Sequence, residues 1–351
     1  MMGSSFPNDD APKMCFNGPK NYQLNWYANQ QLSIDPTRGK PEIMTEISKT
    51  RTYIMNGIVD YKPEGDTEDK LVSLRLDQQG TQHDYYIGYN RASDFNVGTQ
   101  EDVNEIVVWE KPTGGPYNFG QSWKVTSLRY KNQRYVISNF GPRRQFVEIK
   151  LLTDPIDSYK TGKQDVSISV TSYKGVGYCK HPEELRVPFE VKGRTDNYSY
   201  ETSWNLKEDS STGGYVDFGS GYDKNTAFAS TKNLCPGKCY VFEFHDLYGD
   251  GICDEEECGD EGGFFEGHLD GNEIFSGSSF DAKGVVKRFC VSDISNSKNS
   301  NSCEDSTTLK YANDNDQDCS WVRKRKKKRC DRVWEDKPLS EWCPSACKMC
   351  S

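Results

Sequence analysis

The runs Leu71-Val72-Ser73-Leu74-Arg75-Leu76, Asp84-Tyr85-Tyr86-Ile87-Gly88-Tyr89 and Glu105-Ile106-Val107-Val108-Trp109 decide how this chain folds. They are short, rich in β-branched and aromatic residues, and in places alternate apolar with polar side chains, the period of a strand with one buried face. Arg134-Tyr135-Val136-Ile137, Phe146-Val147-Glu148-Ile149 and Val166-Ser167-Ile168-Ser169-Val170 repeat the pattern. Turn-forming spacers separate them, among them Pro112-Thr113-Gly114-Gly115-Pro116 and Asn139-Phe140-Gly141-Pro142, and no long amphipathic helix intervenes. Such a succession predicts an antiparallel sandwich over residues 41–178. Its tyrosines read as core and cross-strand packing, with a carbohydrate- or substrate-binding face as the alternative.

Upstream, residues 28–42 carry Pro36, Gly39 and Pro41 among polar residues and read as a connecting loop after a helix-like segment from Phe16 to Tyr27. A boundary is expected near residue 40. Downstream, residues 179–295 form a second, cysteine-containing β module, followed by the polar linker Asn296-Ser297-Lys298-Asn299-Ser300-Asn301-Ser302 and a small cysteine-rich module over 303–351. The expected fold class is therefore mainly β: two antiparallel β-sandwich-like modules after a short helical segment, then a disulfide-rich tail.

Within the second module, the strand Cys239-Tyr240-Val241-Phe242-Glu243-Phe244 runs into an acidic loop beginning at Asp246. Counting Asp246 as the first position of a calcium loop places Asp250, Gly251, Asp254 and Glu257 where oxygen ligands and the sharp glycine turn belong, although Tyr248 stands where a carboxylate is usual. The alternative is a solvated acidic turn pinned by Cys253 and Cys258. Asn197-Tyr198-Ser199 is an N-glycosylation sequon, which has meaning for a secreted chain.

Composition sets further bounds. A length of 351 residues suggests about two or three domains, and no stretch of apolar residues is long enough to span a membrane. The 13 cysteines indicate an oxidising compartment: six lie in the tail, six in the middle, and Cys15 is left over. The four histidines are scattered, without a second histidine at helical spacing. Seven consecutive bases, Arg323, Lys324, Arg325, Lys326, Lys327, Lys328 and Arg329, stand in a chain of net charge −9 and leave −16 on the remainder. Such a segregated patch can attract acidic polysaccharides or glycoproteins, the alternative being a solvated loop. A nucleic-acid partner is not expected, because no recognised nucleic-acid fold surrounds the run.

The opening Met1-Met2-Gly3-Ser4, with Pro7-Asn8-Asp9-Asp10-Ala11-Pro12-Lys13-Met14-Cys15-Phe16-Asn17, resembles the Met-turn and closing helix of the gametolysin family, secreted zinc metallopeptidases of the metzincin group. Asp84 to Arg91 with Asn96-Val97-Gly98-Thr99 is similar to the stretch that follows the catalytic domain in that family. The resemblance implies that Met2 is the Met-turn methionine, lying beneath a zinc without being its ligand. It implies an H-E-x-x-H helix upstream, whose glutamate activates water while zinc polarises the scissile carbonyl. That helix is not in this sequence, so the chain is expected to be inactive as it stands. Ser4 also occupies a position where some metzincin branches carry a tyrosine.

On the same resemblance, residues 1–40 are a remnant of the catalytic domain, and fast backbone exchange is expected across residues 1–27. The missing zinc helix, the absence of a leader and the odd Cys15 together lead to the expectation of a C-terminal portion of a longer secreted precursor. The closing Cys343-x3-Cys347-x2-Cys350 pattern resembles a ShK-like module. Six cysteines leave every pairing open on sequence alone; the resemblance implies Cys303 with Cys350, Cys319 with Cys343 and Cys330 with Cys347. The function expected is that of a C-terminal part of a gametolysin-like metalloendopeptidase acting on extracellular matrix or cell-wall proteins. The alternative is a non-catalytic secreted protein that binds matrix through its β modules and basic tail.

Overall fold

The computed structural model describes residues 16–38, 41–45, 47–63, 69–112, 121–142, 145–157, 160–177, 179–211, 213–252, 262–278, 284–293, 305–306, 309–314, 316–330, 332–334 and 337–347. Met2, Cys15, Asp254, Glu257, Cys303, Cys350 and the 296–302 linker lie outside them.

The first sandwich packs two sheets. One has the order β1 (Gln31–Ile34), β5 (Ser73–Leu76), β6 (His83–Asn90), β7 (Glu105–Pro112) and β8 (Trp123–Leu128). The other has the order β2 (Ile43–Met44), β3 (Ser48–Asn56), β11 (Asp165–Tyr173), β10 (Gln145–Leu151) and β9 (Arg134–Phe140), with β4 (Lys70–Leu71) beside β3. Pairing is antiparallel except for β1 with β5 and β3 with β4. The inward positions Leu74, Leu76, Ile87, Ile106, Val108, Val147, Ile149, Val166 and Ile168 are fully buried, so each apolar stripe read in the sequence faces the opposite sheet. The tyrosines are packing residues: Tyr89 is buried and its hydroxyl donates to the Pro155 carbonyl at 3.0 Å. At the sheet edge Arg75 donates twice to one oxygen of the buried Asp84, at 2.7 and 2.9 Å, while the other oxygen accepts from the Gln78 amide.

The segment before residue 40 departs from expectation. Helix α1 (Gly18–Leu24) is capped by Asn17, whose side chain accepts from the Lys20 amide. It buries Gly18, Pro19 and Asn21, and it packs against β5, β6 and β7. β1 follows and completes the sheet edge, with Gln31 to Ile34 in register with Ser73 to Leu76. Residues 16–34 are thus part of the sandwich rather than an exposed remnant, because β5 needs a partner for its outer backbone groups.

The second sandwich has two four-stranded sheets. Their orders are β15 (Ala227–Leu234), β12 (Val187–Arg194), β17 (Phe264–Leu269), β18 (Asn272–Gly277) and β14 (Tyr215–Gly219), β13 (Ser203–Glu208), β16 (Cys239–His245), β19 (Gly284–Cys290). Its core is aromatic, with Trp204, Phe242, Phe244, Phe265 and Phe275 in mutual ring contact. The two sandwiches meet through Val136, Phe146, Tyr173, Tyr215 and Phe218. Cys179, Cys235, Cys239 and Cys290 are all disulfide-bonded.

A separate compact unit comprises residues 181–186, 235–238 and 290–351. Its described tail contains the short helices α2 (Cys319–Lys324), α3 (Lys326–Arg329), α4 (Leu339–Trp342) and α5 (Pro344–Cys347). Cys319 is bonded to Cys343 and Cys330 to Cys347. A core of Leu309, Val322, Leu339 and Ala346 closes around the first of these bridges. So small a module depends on such staples, having little apolar area to bury. No helix of the described residues is long and apolar enough to cross a membrane.

Candidate functional site

Two places gather chemistry. The first is a cavity of about 260 Å³ whose walls include Arg134 and Lys150 from the first sandwich and Glu201, Thr202, His245 and Asp246 from the second. Tyr130 and Tyr200 stack across the two sandwiches with ring centroids 4.3 Å apart. β16 ends at His245 and delivers Asp246 into a turn, where its carboxylate accepts from the Gly249 amide. Gly249 and Gly251 both take positive φ, which permits the chain to double back there. The fold thereby brings Asp246 and Asp250 to Glu201, with oxygens from all three within 4.8 Å of one another.

Of the calcium ligands read from the sequence, Asp246 and Asp250 are brought together, and Asp254 and Glu257 fall outside the described residues. Glu201 was missed, since nothing local in the Ser199–Glu201 turn marks it as a partner of residues this distant in the chain. Burial, together with the charges of Asp246, Asp250 and Asp196, pushes the Glu201 carboxyl up to about 7. Burial likewise raises Asp246, helped by Asp250. On the other wall, burial and the nearby Arg134 hold the His245 imidazole down to about 4, and its Nε2 lies 3.0 Å from the Asn205 amide nitrogen. The cavity thus favours a neutral imidazole and keeps the Glu201 carboxyl protonated to higher pH than an ordinary glutamate.

Zinc does not fit the described residues. His83 lies beside Glu110, His181 beside Asp293, and His268 beside Glu266, each in a separate place, and no histidine belongs to a group of three candidate metal ligands. Asn197 is exposed in a turn closed by the Tyr198 amide on Asp196, so a glycan there would meet no core.

The second place is the basic run. It lies on α2 and α3, with Arg325 between them. Asp318 caps α2 by accepting from the Trp321 amide. Arg323 turns to Asp305 at 2.7 Å, and Asp305 also accepts from the Ala346 amide. Arg329 lies over the Trp321 indole, 3.6 Å from its centroid, and donates to the Trp321 carbonyl. Tyr311 stacks on the same indole at 5.5 Å, and Trp334 meets Tyr311 at 5.7 Å. Arg332, outside the run of seven, reaches within 6.0 Å of both Tyr311 and Trp321. The side chains of Lys326 and Lys327 lie outside what is described.

No family model matches this chain, and no curated protein and no solved structure matches it.

Proposed function

We propose that this chain is the C-terminal part of a secreted gametolysin-like zinc metalloendopeptidase acting on extracellular matrix or cell-wall proteins, and that these residues serve attachment rather than bond cleavage. The observation that carries the attachment role is the basic helical face of a small disulfide-closed module, joined to a chain otherwise strongly acidic. Attachment to an acidic matrix would raise the effective concentration of a linked catalytic domain near its substrate without adding any contact at the scissile bond. The glycosylatable Asn197 faces solvent, as a glycan on a secreted chain requires.

One observation favours a second reading, a self-contained secreted matrix-binding protein without a peptidase. Residues 16–34 complete the first sandwich, so they need no catalytic domain to pack against. The intact mass and N-terminal sequence of the protein from its natural source separate the two. A native chain extending upstream through an H-E-x-x-H segment establishes the peptidase reading, and one beginning at Met1 replaces it with the second.

A further inference from the structure

We propose that the cysteine-rich module binds the sulfate esters of an extracellular polysaccharide through the guanidiniums of Arg329 and Arg332, which meet at Trp321, assisted by Arg325, four residues before Arg329 between α2 and α3. This names the partner of the attachment face and rests on the attachment reading.

The basic run is not one uniform patch. Arg323 is engaged by Asp305, which takes it out of the cluster. Arg329 and Arg332 converge instead on a single indole, from 3.6 and 5.9 Å. Among the described residues no carboxylate forms an ion pair with Arg325, Arg329 or Arg332. Partial desolvation, then the charges of Arg325 and Arg332, holds the Arg329 guanidinium below its ordinary value.

The cluster is also held in place. Cys330, adjacent to Arg329, is bonded to Cys347, and the backbone around it is tied by Arg332 N to Arg329 O at 3.1 Å and by Leu339 N to Arg332 O at 2.7 Å. The stack of Tyr311, Trp321 and Arg329 fixes one guanidinium plane before any ligand arrives, so little side-chain entropy remains to be lost. A sulfate ester presents three terminal oxygens, spread tetrahedrally so that planar forks from different directions can share them, whereas a carboxylate presents two oxygens in one plane. Convergent arginines therefore select sulfate over uronate. A run of lysines valued only for its charge would not.

The test uses the full chain with heparin and with alginate, a polyuronate that carries carboxylates but no sulfate. Heparin is expected to bind at least about tenfold more tightly than alginate at physiological salt. The triple variant R325Q/R329Q/R332Q should lose about tenfold or more in heparin affinity, against about threefold for the charge-matched R323Q/K324Q/K328Q. Because Arg329 braces Trp321, the triple arginine-to-lysine variant is measured in parallel; it keeps the charge and the aliphatic stems but loses the forks, and should still lose about fivefold. Equal losses in the two glutamine triples, full retention by the lysine triple, equal binding of alginate, or tighter binding to DNA than to heparin would each overturn the proposal. Such a result leaves the peptidase reading to the N-terminal sequence, which does not depend on it.

Discussion

Gly18, the first residue of α1, lies so close to Trp109 of β7 that a Cβ built on it would stand 2.7 Å from the indole Cζ3. The same ring also lies 3.1 Å from where a Cβ would stand at Gly88. Two backbone positions without side chains thus admit one large ring, and the helix is seated on the sheet through it. Gly18→Ala is expected to destabilise the chain by about 1–3 kcal/mol through overpacking, read as a lower denaturation midpoint in urea. Hydrogen exchange should find the Asn21 and Asn25 amides protected, since both are bonded within the helix. Fast exchange there would show that the helix is not seated.

Phe242 is fully buried, with Trp204, Phe244, Phe265 and Phe275 around it. Phe242→Ala should cost about 3–5 kcal/mol, the usual range for removing a buried ring. Denaturant unfolding followed by tryptophan fluorescence measures it directly. A loss below about 1 kcal/mol would mean that the aromatic core is not packed as described.

The cavity between the sandwiches makes stability depend on pH with two opposing signs. Glu201 has a folded value near 7, above its ordinary 4.5, so its contribution is fully present below pH 4.5 and is lost as pH rises through 7. His245 is depressed from 6.5 to about 4, so its contribution is present above pH 6.5 and is lost as pH falls through 4. The two windows overlap and oppose each other, so Glu201→Gln should leave a stability that rises with pH across that window, and His245→Gln one that falls with pH across it. An NMR titration of His245 should show a midpoint near 4, and one near the ordinary imidazole value would contradict its burial.

In the tail, the Cys319–Cys343 bridge spans 24 residues. A loop of that length is worth about 3–4 kcal/mol on chain-entropy grounds, comparable with everything so small a core can supply. Mild reduction or a Cys319→Ala/Cys343→Ala pair should therefore abolish the near-ultraviolet signal of Trp321, Trp334 and Trp342. The sandwiches should keep their far-ultraviolet spectrum.

What the sequence discloses follows from how each element is covered. All six strands read between Leu71 and Val170 are present, because both faces of those runs are constrained and their apolar stripes are dense. β3, Ser48-Lys49-Thr50-Arg51-Thr52-Tyr53-Ile54-Met55-Asn56, escaped notice because its buried side is supplied late, by Met55 and Tyr53, after a run of polar residues. β1 escaped because it is recruited by the open edge of β5 rather than by its own pattern. Glu201 was invisible for a related reason: the Asp246 loop advertises itself through acidic spacing, but its third carboxylate comes from a turn that only the fold brings near. The basic run was legible as charge. Which of its members are free to meet a ligand depended on Asp305 and Trp321, neither of which belongs to it.

The parallel pairing of β1 with β5 also bears on how the first sandwich stays apart from other copies of itself. Removal of Gln31–Ile34 would strip away the strand covering β5 and leave a bare sheet edge, a template for self-association.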